Sequence, residues 1–306
     1  MDRGGRRRSA LSKRKCKAER DCGKQSNRGG AYSCTMTRTQ INNTQAGGEL
    51  RAPSKRMIGF FSIYLRWYLR RHFHCLRVAN AGRIPPQAQP LILFGNHGSW
   101  WDPLIAILLG KEILPHRDHY AQMDAIALKH YGIFRSMGFF PVDGGSAHGT
   151  MQLLRAGEQV LSRRDSVLWI TPQGEFQDVR ERPVVFRPGI GALISRRGRI
   201  TSVPIAVEYV FWDERLPEIL INIGEPLEIA DGTMEDARTW TNLHSYAMAA
   251  TLDELAMLAM DRDPSAFETV FNGSGGIGGV YELWKRFTCA VTGRPYHHDH
   301  GSLNRR

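Results

Sequence analysis

Short apolar runs alternate with amphipathic stretches from residue 90 to residue 260, and this alternation limits the fold more than any other feature. Residues 90–95, 139–142, 167–170, 202–207 and 219–223 are short, rich in Val, Ile, Leu and Phe, and bounded by polar or Gly/Pro positions. Runs of that length suit strands covered on both faces. Residues 119–123 add a further strand. Between them, residues 103–109, 125–134, 147–163, 189–197 and 240–260 carry apolar side chains at helical spacing. Examples are Leu153, Leu154, Val160 and Leu161 in one, and Leu252, Leu255 and Leu258 in another. Strand and helix in turn predict an α/β domain whose helices cover a largely buried sheet. No internal repeat is visible.

A different helix is expected before this domain, over residues 57–78. Ile58, Phe61, Leu65, Leu69, Phe73 and Leu76 recur at helical spacing, and Arg66, Arg70, Arg71 and Arg77 punctuate the run. Trp67 and Tyr68 lie beside the arginines. Such a helix suits a membrane interface, where aromatic rings sit at headgroup level and guanidinium groups meet phosphates. Arg66, Trp67, Arg70 and Arg71 are the expected lipid contacts, and packing on the protein's own domain is the plainer alternative. No stretch of about 18 uncharged apolar residues occurs, so no full membrane span is expected.

The net charge of +11 is not spread over the chain. Residues 1–56 hold 15 Lys/Arg against 4 Asp/Glu, and residues 57–306 hold 26 of each. The basic segment is poor in large apolar residues and is read as a disordered tail, because it cannot bury enough surface to offset chain entropy. It is either an electrostatic tether to anionic lipid or nucleic acid, or a non-functional extension with Met57 as the natural first residue. It lacks the amphipathic stripe of a transit peptide. The domain itself gives no reason to expect a nucleic-acid partner. Cys16, Cys22, Cys34, Cys75 and Cys289 are scattered without a CxxC pair, so a reducing compartment and no metal site are expected. Residues 266–306 read as an irregular Gly-rich segment. In it, Gly273, Gly275 and Gly278 match a GxGxxG pattern with no room for a following βαβ unit, and His297, His298, Asp299 and His300 lie in a polar tail. No GxSxG elbow and no GxxxxGK[ST] loop is present, which argues against lipase-type and P-loop chemistry.

The chemistry concentrates after the first strand, in Asn96-His97-Gly98-Ser99-Trp100-Trp101-Asp102. Ligands of open α/β sheets bind at the carboxyl ends of strands. A histidine placed there takes a proton near neutral pH, since its ordinary pKa is about 6.5. A carboxylate on its other nitrogen fixes the tautomer and stabilises the imidazolium. Two simpler readings stay open at this point. Asp102-Pro103 is also a helix start, and His97 alone could be a structural histidine.

Asn96-His97-x4-Asp102 resembles the first motif of the glycerolipid, or PlsC-like lysophospholipid, acyltransferases. Gly138-Phe139-Phe140-Pro141-Val142-Asp143 resembles their second motif. Thr171-Pro172-Gln173-Gly174-Glu175 resembles the third, usually Phe-Pro-Glu-Gly-Thr-Arg, and Val203-Pro204-Ile205-Ala206 the fourth. Phe186-Arg187-Pro188-Gly189 resembles the family's link between the last two. The resemblance spans roughly residues 57–230. It implies an α/β fold with a mixed central sheet flanked by helices over residues 79–265, preceded by the amphipathic helix. It also implies that His97, oriented by Asp102, deprotonates an acceptor hydroxyl, which attacks an acyl thioester of coenzyme A or acyl carrier protein. No acyl-enzyme, bound cofactor or metal is implied, and Ser99 is not a nucleophile. The protein is then a peripheral, monotopic enzyme on the cytoplasmic face of a membrane.

The departures from the family pattern bear on the acceptor. The arginines that usually end the second and third motifs, associated with the acceptor's phosphate, are replaced by Gly144 and Phe176. The third motif's glutamate is Gln173, and Glu175 adds a charge that repels phosphate. A neutral hydroxyl on a glycolipid, glycosylated terpenoid or polyol is therefore expected. Its contacts would be Asn96, Trp100, Trp101, Asp143, Gln173, Gly174, Glu175 and Arg187. Arg180, Arg182 and Arg187 keep the phosphorylated acceptor, glycerol phosphate or lysophosphatidate, as the alternative. A non-catalytic lipid- or nucleic-acid-binding protein that works through its tail is the rival of another class.

Overall fold

The computed structural model describes residues 50–86, 90–230 and 235–273. Nine strands among them form one sheet: β1 (Cys75–Ala79), β2 (Leu91–Gly95), β3 (Asp118–Asp124), β4 (Phe139–Val142), β5 (Ser166–Ile170), β6 (Ile200–Val210), β7 (Glu218–Ile223), β8 (Leu227–Ile229) and β9 (Glu268–Asn272). Their order is β4-β3-β5-β2-β6-β7-β1-β9, with β8 beside the start of β6. The ladders from β4 through β6 are parallel, as is β1 with β7, whereas β6–β7, β6–β8 and β1–β9 are antiparallel. The sheet is thus mixed and flanked by helices on both faces.

Alternation along the central strands sends neighbouring side chains into different cores. Leu91 and Leu93 join the layer under α1 (Lys55–His72) and α2 (Asp102–Ile113). Ile92 and Phe94 join the opposite layer, with α4 (Ala147–Leu161), α5 (Gly189–Ile194) and α6 (Ala237–Asp261). The short α3 (Ala125–His130) and a 3-10 turn, Gly132–Met137, close a small third cluster against α1. Pro204 is tolerated in the middle of β6 because it falls between the residues paired to β8 and those paired to β7.

The ends of the domain differ from the sequence expectation. Helix α1 begins at Lys55, capped by Ser54, and stops at His72 rather than running to residue 78. Leu76 and Val78 continue the apolar spacing with a period of two, as part of β1. Residues 50–56 belong with the domain and not with the tail: the Leu50 amide donates to Gln159 Oε1 at 2.9 Å and the Ser54 amide to Ser136 O at 2.8 Å. Residues 268–272 form an edge strand on β1 that buries Phe271, so the last irregular segment starts later than 266. Residues 1–49 of the expected tail lie outside the described residues. So do most of the GxGxxG run and the histidines near 300.

A buried polar pin fastens α6 to β6. His244 Nδ1 donates to Trp240 O at 2.7 Å, and Nε2 lies 2.8 Å from the Ser202 hydroxyl, which therefore donates to it. Burial pushes the imidazole down to about 4. The unfolded chain, in contrast, takes up this proton near the ordinary value of about 6.5. Stability from this residue is therefore complete above pH 6.5 and is lost as pH falls toward 4, by at most roughly 3 kcal/mol. Urea titrations between pH 7 and pH 4 are expected to show a shallower loss of stability in His244→Gln than in the parent protein. Parallel slopes would refute the assignment.

Candidate active site

The loop that leaves β2 doubles back on the first turn of α2. There the Asp102 carboxylate gathers three donors. Its Oδ2 lies 2.8 Å from His97 Nδ1 and accepts from the Ser99 amide at 3.1 Å, while Oδ1 accepts from the Tyr209 hydroxyl at 2.8 Å. Asp102 is buried, and it is the first residue of the helix rather than its cap; Trp101 holds the cap position without a side-chain bond. The position near a helix N-terminus also favours a negative charge. Because a carboxylate only accepts, Nδ1 carries the proton, which leaves Nε2 as the acceptor nitrogen of the neutral ring. Burial and the neighbouring carboxylate push the Tyr209 phenol far above its ordinary range, so it remains a donor. Tyr209 lies on β6 beyond the fourth motif and gave no sequence signal.

The third motif fastens this loop from the other side. Gln173 Oε1 accepts from the His97 amide at 2.6 Å, and its Nε2 donates to Gln177 Oε1 at 2.6 Å. The Gln177 amide returns a bond to His97 O at 2.9 Å. Asn96 is engaged in the same manner. Its amide donates to Val207 O at 3.0 Å and accepts from Val207 N at 2.8 Å. Asn96 and Gln173, expected to contact the acceptor, thus hold the His97 loop to β6 and to the turn at 173–177.

His97 lines a cavity of about 1100 Å³ between α2, α3, α4 and the ends of β2 to β6. Its walls are mostly apolar, with Leu104, Ile105, Phe134, Phe139 and Leu153 among them. Trp169 is held at the wall by a bond from its Nε1 to His119 Nδ1 at 3.0 Å, and burial lowers the pKa of His119. The acidic and basic residues that line the cavity are His97, Asp102, Asp124, Asp143, Glu175 and Arg187. Asp124 caps α3. Asp143 accepts from His148 Nδ1 at 2.8 Å and from Gln152 Nε2 at 3.2 Å, a pairing that the sequence did not reveal.

Arg187 is the only arginine on the cavity wall among the described residues. Arg180 is paired with Asp178 and Arg182 with Asp253, away from the cavity. The Arg187 guanidinium lies 4.0 Å from Glu175. It passes beneath Gly174, where φ is +72° and a Cβ would lie 2.6 Å from Nε, so only glycine suits this turn. Trp100 lies on the cavity and is exposed, whereas Trp101 turns away and packs on Phe73 and Tyr68 of the α1 region, at centroid distances of 5.0 and 5.6 Å. Trp101 is therefore packing rather than an acceptor wall. Arg66 likewise pairs with Glu112 of α2, and Arg71 stacks over Trp67 at 4.6 Å; Arg70 is exposed.

Among the described residues, one further cluster has metal-ligand residue types: His74, Cys75 and Glu218. Glu218 accepts from Arg77 Nε at 2.7 Å and from the Cys75 thiol at 2.9 Å, and burial, first of all, drives that thiol above its ordinary range. The protonated thiol and the paired carboxylate make a structural knot at the start of β1.

No curated protein matches the chain in sequence. Among solved structures, the 1-acyl-sn-glycerophosphate (LPA) acyltransferase PlsC from Thermotoga maritima aligns with a TM-score of 0.46 at 12% identity. The alignment covers 65% of this chain and 79% of that one. The family model Acyltransferase matches residues 75–208, from β1 through β6, and so takes in His97, Asp102, the second- and third-motif loops and Arg187. Residues 75–208 are therefore similar to the acyltransferase family, over less than half of the chain.

Proposed function

We propose that this acyltransferase works at a membrane surface and moves a fatty acyl group from a coenzyme A or acyl carrier protein thioester to a neutral acceptor hydroxyl, on a glycolipid, glycosylated terpenoid or polyol. The observation that carries the acceptor is the charge around the cavity, where carboxylates outnumber the single guanidinium of Arg187. A phosphate-bearing acceptor would meet repulsion from Glu175 and Asp143. The runner-up, a lysophosphatidate or glycerol phosphate acceptor, is favoured by one feature only: Arg187 faces the cavity.

The chemistry follows from the dyad. His97 Nε2 takes the acceptor's hydroxyl proton as the oxygen attacks the thioester carbon. The imidazolium is stabilised by Asp102, whose charge is shared among three donors. Collapse of the tetrahedral intermediate breaks the carbon–sulfur bond, and the departing thiolate takes the proton from His97. Tyr209 acts through Asp102 and so positions the base.

The membrane reading rests on the outer face of α1. Leu65 and Leu69 are buried in the domain, while Phe60 (74% exposed), Ile63, Tyr64 and Trp67 face outward. The adjoining α3 and 3-10 turn add exposed Ile126, Tyr131 and Ile133. Tyr131 also lines the cavity, so the cavity opens among these apolar side chains. That arrangement suits a peripheral, monotopic enzyme that takes lipid from the bilayer edge, on the cytoplasmic face where thioester donors are made. No helix among the described residues is long and apolar enough to cross a membrane.

Thiol release from acyl-CoA and acyl carrier protein, measured with neutral and phosphorylated acceptors, tests the reading. Acceptor-dependent release is expected to fall by about 10²–10⁴-fold in His97→Ala. Equal use of phosphorylated and neutral acceptors would defeat the acceptor assignment. Tyr209→Phe removes one donor from Asp102 and is expected to lower kcat by about 10-fold with the KM values nearly unchanged. An unaffected kcat would remove Tyr209 from the network.

A further inference from the structure

Phe176 is the most unusual side chain near the base. It is 60% exposed, yet its ring centroid lies 4.4 Å from that of His97 at an interplanar angle of 45°. A large apolar ring left open to solvent gives up burial that many folds would use. Its backbone is held on both sides. Gly174 turns over Arg187 before it, and Gln177 after it is bonded to both His97 O and Gln173. Little conformational entropy remains to be lost when a ligand settles on the ring. The loop after β2 lines the same cavity with a second exposed ring, Trp100, 54% exposed. Glu175, adjacent in sequence to Phe176, and Asp143 on the second-motif loop also line the cavity and supply carboxylates.

We infer that Phe176 is an acceptor platform, and that the acceptor presents a sugar ring whose C–H face lies on Phe176 while its hydroxyl edge donates to Glu175 and Asp143. The inference rests on the acyl-transfer reading above and narrows its acceptor. An aromatic face carries partial negative charge and attracts the polarised C–H groups of a pyranose. Carboxylates accept from several hydroxyls at once and reject phosphate. A ring seated beside the imidazole brings one of its hydroxyls within reach of Nε2, which a flexible glycerol backbone would have to find unaided. Phe176 is thus a specificity-determining residue, and no step of proton transfer passes through it.

The test measures steady-state acyl transfer by the full chain on detergent–lipid micelles, with an alkyl glucoside, a monoacylglycerol and lysophosphatidate as acceptors. Phe176→Ala is expected to raise KM for the glucoside by about 10-fold or more, with less effect on monoacylglycerol and none on the thioester's KM. Phe176→Trp is expected to retain the parent's preference. A fall in kcat shared by all acceptors, with KM unmoved, would overturn the inference and make the ring a buttress for His97. A rise confined to the thioester's KM would overturn it in favour of a donor contact. No acceptor-dependent release from any acceptor by the folded parent protein would instead refute acyl transfer itself, and the platform with it.

Discussion

The two oxygens of Asp102 are the point on which the site depends. They join the loop after β2, the first turn of α2 and the far end of β6 through one carboxylate. Such a group, removed from water, is tolerable only when hydrogen-bonded, and here three donors engage both of its oxygens. The geometry of His97 is therefore set by backbone and sheet, and not by the imidazole's own contacts with solvent. The Ser99 amide closes a tight loop, and Tyr209 reaches across from a strand whose register with β7 fixes where its hydroxyl falls.

A second constraint is the neutral amide at position 173. Glutamate could only accept, whereas Gln173 accepts from the His97 backbone and donates to Gln177 with the same side chain. The exchange knits the turn that carries Glu175 and Phe176 to the turn that carries His97. In this chain the altered third motif is a coordinated change: the amide, the added carboxylate and the exposed ring occupy one short turn. The guanidinium that remains, Arg187, comes from a different segment and lies under that turn.

Much of the frame was legible in the sequence, because strand runs and helical stripes are local patterns. The strands at 91–95, 139–142 and 166–170 and the long final helix lie where apolar periodicity places them. Local pattern failed where a stretch has two readings. Phe73 and Leu76 fit a helix as well as they fit the entry into β1, and only pairing with β7 decides between them. The edge strand at 268–272 was missed, because its burial pattern depends on β1 lying alongside. At the site, His97 and Asp102 were visible as a spaced pair beside a strand end. The roles of Tyr209, Asn96 and Gln173 were not, since each is defined by a bond to a residue between about 75 and 110 positions away. Side-chain amides reach backbone groups that no periodicity announces.

Helix α1 has two faces that serve different masters. Its inner face, with Leu65 and Leu69, belongs to the domain's core, and Phe73 at its end touches both Trp101 and Tyr209. The helix is thus not a detachable module. Cutting it away to gain solubility would strip the sheet of a covering layer and remove the aromatic support beside the Asp102 network. Substitutions meant to make the surface more polar belong on the outer face, at Phe60, Ile63 and Trp67, while the helix stays in place.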